Sequence, residues 1–128
     1  MIPEKIAFLF VLTFFLIVFL QSGLDKVYDY KGNLSFLNTL LGGVFSSSLI
    51  TLALVSVTIL ELTSGLLCLL GILDVVFNDS NLTGLIGLIV GSFALLVLLF
   101  GQRVSKNYDG AKTIAVYFIL AVIGLSLA

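Results

Sequence analysis

The chain has 128 residues, of which 60% are hydrophobic and only 10% are charged, and its formal net charge is −1. Because a soluble domain usually carries about 25% charged residues, this composition excludes a water-soluble globular protein, and the charge gives no sign of nucleic-acid binding. The chain has no histidine and one cysteine, Cys68, which excludes an intrachain disulfide, a dithiol redox pair and a Cys/His metal site. We predict a single integral membrane domain over residues 1–128.

Four apolar runs are long enough to cross a membrane, which takes about 20 mainly apolar residues for a hydrocarbon core about 30 Å thick. The links between these runs are short, and short links favour antiparallel neighbours. The predicted fold is therefore all-α, an integral membrane bundle of four antiparallel helices. The predicted spans are residues 6–24, 49–73, 82–101 and 111–128.

Polar residues appear together where the first apolar run ends. Gln21 lies inside the run, one helical turn deeper than Asp25, and Lys26 and Asp29 follow. On a continuing helix the two aspartates share one face and Lys26 lies three residues before Asp29. We expect Lys26 to bond to one of these carboxylates or to Gln102. The alternative is that all three charges lie in water, where such pairs contribute little to stability.

The segment 33–48 is too short and too polar to span a membrane, but its leucines and phenylalanine recur at helical spacing. Two placements remain open: an amphipathic helix on the membrane surface, or a re-entrant helix folded over the mouth of the bundle. The glycine pair at 42–43 is expected to end this helix. The serines at 46–48 offer N-caps for the second span.

Glu61 is a carboxylate in the middle of the second span, twelve residues from either end. Such a residue costs a few kcal/mol to insert, and it usually faces a partner or a cavity. We predict that Glu61 faces the bundle interior, either as a hydrogen-bonded packing contact or as a ligand-binding or proton-carrying group. At about 1.5 Å per residue it is about 18 Å from either end of its span, so direct contact with Lys26 is not expected without helix tilt or bridging water.

The third span ends in Gln102 and Arg103. In an antiparallel bundle this end meets the end of the first span, so both residues are expected near Lys26. We predict a polar vestibule at this mouth, leading toward Glu61, in which Gln21, Lys26, Gln102 and Arg103 guide a ligand.

Small residues in the spans predict close helix packing, because they let neighbouring backbones approach. The predicted packing positions are Gly23, Gly65, Gly84, Gly87, Gly91, Ala121 and Gly124.

The distribution of positive charge predicts the orientation in the membrane. The N-terminus carries Lys5, the second loop carries no Lys or Arg, and the first and third loops with their edges carry the other five. We therefore predict that the first and third loops are cytoplasmic. The five residues are Lys26, Lys31, Arg103, Lys106 and Lys112.

The first span ends in a Ser22-Gly23-x-x-Lys26 pattern, and Glu61 is followed by small residues at 65 and 71. In these features the chain resembles the DoxX-like family of small four-helix bacterial membrane proteins. The segments 101–103 (GQR) and 107–125 resemble the form found in Bacteroidetes. The resemblance implies the bacterial inner membrane, and it implies a link to thiosulfate–quinone oxidoreductases and other membrane redox complexes.

The sequence supports two alternative hypotheses about function. The first is a non-catalytic accessory subunit of a larger inner-membrane complex, of redox or protein-export type. Its partners would be the bilayer and other integral membrane subunits. The alternative is a subunit of an oxidoreductase that binds quinone or another small ligand at Glu61 inside the bundle. Neither hypothesis requires a metal, and neither makes the chain catalytic by itself.

Overall fold

The computed structural model describes residues 2–128, and this range is helical with no β-strand. Four of its five helices are long and apolar enough to cross a membrane. This indicates a multi-pass membrane protein, and it confirms the predicted helical class and the number of candidate spans. The helices are α1 (Pro3–Tyr28), α2 (Tyr30–Leu41), α3 (Ser47–Asn78), α4 (Leu82–Val104) and α5 (Tyr108–Leu127), of which all but α2 are candidate spans.

The helices run past the ends of the predicted spans. Helix α3 has 32 residues and α1 has 26, because helical backbone continues through the polar residues that end each apolar run. Pro3 starts α1, a position where the missing N–H costs nothing. The side chain of Ser46 caps α3 by accepting a hydrogen bond from the N–H of Leu49 at 3.3 Å, as the sequence predicts.

A short helix lies between the first two candidate spans, in the segment where the sequence predicts one. It begins at Tyr30, directly after Asp29, whose backbone (φ −116°, ψ 49°) separates α1 from α2. It ends at Leu41, and Gly42 forms its C-cap. Helix α2 contacts α3 and the end of α1, so it is folded back against the other helices.

The depth at which α1 meets α3 is set by two glycines. A Cβ atom on Gly23 of α1 would lie 2.7 Å from Leu62 of α3, and one on Gly65 of α3 would lie 2.8 Å from Leu20 of α1. Each glycine therefore receives a leucine of the other helix. Together the two contacts fix the offset between the helices: the last turn of α1 lies beside the middle of α3.

Helices α3 and α4 approach even more closely. A Cβ on Gly71 would lie 2.5 Å from the Cα of Gly84, and one on Gly87 would lie 3.1 Å from the backbone nitrogen of Cys68. The buried Ser64 hydroxyl donates a hydrogen bond to the carbonyl oxygen of Gly87 at 2.7 Å. Backbone approach of this kind is what small residues permit in membrane helices.

The core lies between these helices and the inner face of α1. Gly91 receives the ring of Phe19, and Gly124 of α5 receives Val11 and Leu88. Ala121 is buried in the same core. All seven predicted packing positions are thus buried. The largest buried side chains of α1 recur every three or four residues on one face: Phe8, Leu12, Phe15 and Phe19.

Candidate ligand-binding site

A buried ion pair joins the end of α1 to the middle of α3. The ammonium Nζ of Lys26 lies 2.9 Å from Oε1 of Glu61, with side-chain exposures of 14% and 2%. The same ammonium donates a hydrogen bond to the hydroxyl of Ser22 at 2.7 Å, one turn earlier on α1. The carboxylate therefore faces the protein interior, as predicted, and its partner is a lysine.

This pairing corrects the expected partners of Lys26. From the sequence, the expected partners of Lys26 are Asp25, Asp29 or Gln102. Direct contact with Glu61 is not expected, because the end of the first apolar run is predicted to lie at the membrane surface. The offset set by Gly23 brings the last turn of α1 to the depth of Glu61 instead. Because the last turn of α1 lies beside the middle of α3, Lys26 reaches Glu61 although the other residues of that turn are exposed.

The two aspartates have a different role from the predicted one. Both are exposed, and the side-chain amide of Asn33 donates hydrogen bonds to the Asp29 carbonyl oxygen at 2.9 Å and to Asp25 Oδ2 at 3.3 Å. Asn33 thereby ties the first turn of α2 to the last turn of α1. Sequence reasoning did not single out Asn33 or Ser22 as contacts here, although Ser22 stands four residues before Lys26, at the spacing that brings side chains together on a helix.

A cavity of about 210 Å³ opens beside the ion pair, between α2, α3 and α4. Lys26 lines it, whereas Glu61 lies behind Lys26 and does not. Most of the lining is apolar, and the polar side chains are Lys26, Asn33 and Gln102. Apolar walls with a few placed polar groups are the usual composition of a small-molecule site. The apolar lining residues are Phe36, Leu37, Leu40, Leu41, Ile50, Ala53, Leu54, Val57, Val97, Leu98 and Gly101.

The other predicted vestibule residues are distributed differently. Gln102 lines the cavity, and its buried Oε1 has no hydrogen-bond partner among residues 2–128. Arg103 is exposed and stacks on the ring of Tyr108, with 5.0 Å from Cζ to the ring centroid. Gln21 is exposed on the outer face of α1 and does not line the cavity. Lys26 therefore connects Glu61 to the cavity, which Gln102 also lines. Arg103 and Gln21 lie outside the cavity.

A second hollow lies on the exposed side of α2 and is lined by α2 residues alone, including Lys31 and Asn38. Because one helix forms all of it, it is a surface groove and not an enclosed site. Among residues 2–128, no three His, Cys, Asp or Glu side chains lie together as metal ligands would.

The electrostatics of the cavity follow from its lining. Lys26 is the one charged side chain there, and its charge is balanced by Glu61. An unbalanced buried charge is costly, whereas a paired one is tolerated. The cavity is therefore close to neutral, with an ammonium group as its strongest hydrogen-bond donor.

Comparisons with known proteins give no match to this chain: no family model, no curated protein and no solved structure is similar to it.

Proposed function

We propose that this protein binds a small amphipathic molecule in the cavity between α2, α3 and α4, with the polar part of the molecule at Lys26. The observation that supports the proposal is that a largely apolar cavity lies next to the Lys26–Glu61 ion pair and shares Lys26 with it. Intramembrane ionisable residues usually mark a functional site. A pair kept only for packing would not need an adjoining open volume.

The proposed arrangement is a four-helix antiparallel bundle in which α2 is re-entrant. The contacts between glycines and leucines support opposite directions for α1 and α3. Leu37 and Leu40 of α2 line the same cavity as Leu54 of α3 and Leu98 of α4, both of which belong to predicted spans. This supports a position for α2 at the depth of the hydrocarbon core. Helix α2 would then pack against α3 beyond the end of α1.

The proposed location is the bacterial inner membrane, which rests on the DoxX-like resemblance of the Ser22-Gly23-x-x-Lys26 pattern and Glu61. The excess of Lys and Arg in the first and third loops favours a cytoplasmic side for both. The cavity, which α2 and Gln102 line, would then lie in the cytoplasmic half of the membrane.

A quinone is the candidate ligand that the DoxX-like resemblance suggests. A quinone carries carbonyl oxygens, which accept hydrogen bonds from an ammonium group, and an apolar tail, which suits the apolar walls. In this role the chain would be a ligand-binding subunit of an oxidoreductase, and electron transfer would require a partner subunit.

The test is purification from native membranes in mild detergent, followed by mass spectrometry of the organic extract. We expect one bound small molecule, at a stoichiometry that approaches one molecule per chain. The variant Gly101→Leu should lose it, because a Cβ at this cavity-lining position meets nothing within 4 Å, so a larger side chain can enter the open space. Gly43→Leu is the matched control: it also has open space around its Cβ, and it does not line the cavity. Equal extracts from all three proteins would refute the proposal.

A second candidate function is a non-catalytic subunit of a larger membrane complex, and Gln21 favours it. This amide lies inside the first apolar run and is exposed on the outer face of α1. Amides in this position promote association with another helix. Stoichiometric partner subunits should then co-purify with the wild-type chain and be lost with Gln21→Leu. A monodisperse lone protein from native membranes would contradict this function.

A further inference from the structure

Building on the proposed ligand-binding function, we propose that the cavity selects an uncharged ligand with a ring-sized head, whose hydrogen-bond acceptor meets Lys26, and that it excludes carboxylates and other anions.

The volume limits the size of the head. An apolar protein cavity of about 150 Å³ can hold a benzene molecule, and the cavity here has about 210 Å³. One six-membered ring with one or two small substituents therefore fits. A longer apolar tail would have to leave through the open side of the cavity toward the lipid.

The ion pair limits the charge. The Lys26 charge is already balanced by Glu61, and every other lining residue is uncharged. An anion would add an unbalanced negative charge in a largely apolar volume, which is strongly unfavourable. Asp25 and Asp29 hold Asn33 at the edge of the cavity, and their charges would repel an anion further. Lys31 lies on the exposed side of α2, outside the lining.

The geometry of Lys26 supplies the donor. An ammonium group has three N–H bonds, and the close oxygen partners of this one are Ser22 Oγ at 2.7 Å and Glu61 Oε1 at 2.9 Å. The Ser22 carbonyl oxygen, at 3.5 Å, lies at the limit of a hydrogen bond. The N–H that makes this long contact can turn to a ligand in the cavity that Lys26 lines, and a carbonyl or hydroxyl oxygen is its natural acceptor.

Asn33 adds a complementary group. Its Nδ2 is engaged by Asp25 and Asp29, so a ligand would meet its Oδ1, which is an acceptor. A head with both an acceptor and a donor, such as an amide or a phenol, can bond to Lys26 and to Asn33.

Three probes of one size test this selection: 4-fluorobenzamide, 4-fluorobenzoate and 4-fluorotoluene. Their binding is measured by fluorine NMR with the full chain in phosphatidylcholine nanodiscs at pH 7.4, where the benzoate is ionised, and empty nanodiscs subtract partition into lipid. We expect 4-fluorobenzamide to bind at least about tenfold more tightly than 4-fluorobenzoate. We also expect it to bind about fivefold more tightly than 4-fluorotoluene, the effect of one hydrogen bond.

Variants test whether the preference among the probes arises in the cavity. Gly101→Leu should abolish specific binding of all probes, and Gly43→Leu should retain it. The double variant Lys26→Met with Glu61→Leu removes the donor without leaving a lone buried charge, and it should lose the preference for 4-fluorobenzamide over 4-fluorotoluene. Far-UV circular dichroism and gel filtration check that each variant is folded.

The outcomes separate the two proposals. If 4-fluorotoluene binding depends on residue 101 while 4-fluorobenzoate binds as tightly as 4-fluorobenzamide, the ligand site stands and the charge selection is overturned. A preference that persists unchanged in the double variant also overturns the role of Lys26. If no probe binds more to protein-containing than to empty nanodiscs, both proposals are overturned.

Discussion

Breaking the Lys26–Glu61 pair should destabilise the protein through the charge that is left behind. In Glu61→Leu the buried ammonium of Lys26 keeps only Ser22 as a close oxygen partner. Removal of one member of a buried ion pair costs about 3–5 kcal/mol. Because the Lys26 side chain retains 14% exposure, we expect the low end, about 3 kcal/mol.

Two further substitutions identify the cause. Glu61→Gln keeps an oxygen that can accept from the ammonium but leaves the lysine charge unbalanced, so the fold should persist with a loss of about 1–2 kcal/mol, smaller than that of Glu61→Leu. Lys26→Met with Glu61→Leu removes both charges and leaves apolar side chains of similar size. Such replacement is often neutral or stabilising, so the double variant should be more stable than either single variant. The coupling energy should be at least about 2 kcal/mol.

The assay is unfolding by sodium dodecyl sulfate in mixed micelles, monitored by circular dichroism. It compares the wild type, the single variants Lys26→Met and Glu61→Leu, and the double variant. The exposed pair Lys112–Asp109, at 3.9 Å, is the control cycle and should show no measurable coupling, as is usual for surface pairs. If the effects of Lys26→Met and Glu61→Leu add to within about 0.5 kcal/mol, the two side chains do not stabilise each other and this interpretation of the site is refuted.

Three other predictions concern helix packing and are measured by the same unfolding assay. Gly71→Ala should cost about 2 kcal/mol, since its Cβ would overlap the α4 backbone. Its control is Gly101→Ala, whose Cβ meets open space and which should be neutral or more stable by up to about 1 kcal/mol. Equal losses for both variants would contradict the α3–α4 contact. Ser64→Ala should cost about 1 kcal/mol by removing the buried hydrogen bond to α4; no loss would mean that the carbonyl finds another donor. Ser46→Ala should cost about 1 kcal/mol through the lost cap of α3; an unchanged midpoint would show that this helix end frays without cost.

The sequence predicts the number and type of helices because long apolar runs and capping residues are local signals. The four candidate spans, the short helix after Asp29 and the cap at Ser46 all belong to this class. The inward face of Glu61 is also predictable, because small and polar residues share its side of the helix.

The contacts of the site depend on how neighbouring helices are shifted and rotated, and no single segment encodes this. The partner of Lys26 depends on the depth at which Gly23 meets Leu62. The outward position of Gln21 depends on the rotation of α1. Arg103 lies outside the cavity and stacks on the ring of Tyr108, a contact that depends on where α5 begins relative to α4.

The most direct test of the ligand site is anomalous diffraction from crystals of the full chain grown in a lipid phase and soaked with 4-bromobenzamide. We predict one bromine peak in the cavity between α2, α3 and α4, with the amide oxygen within hydrogen-bond distance of Lys26 Nζ. The peak should be absent in Gly101→Leu and present in Gly43→Leu. A cavity without bromine in wild-type crystals, or a peak that persists in Gly101→Leu, would contradict a binding site at this place.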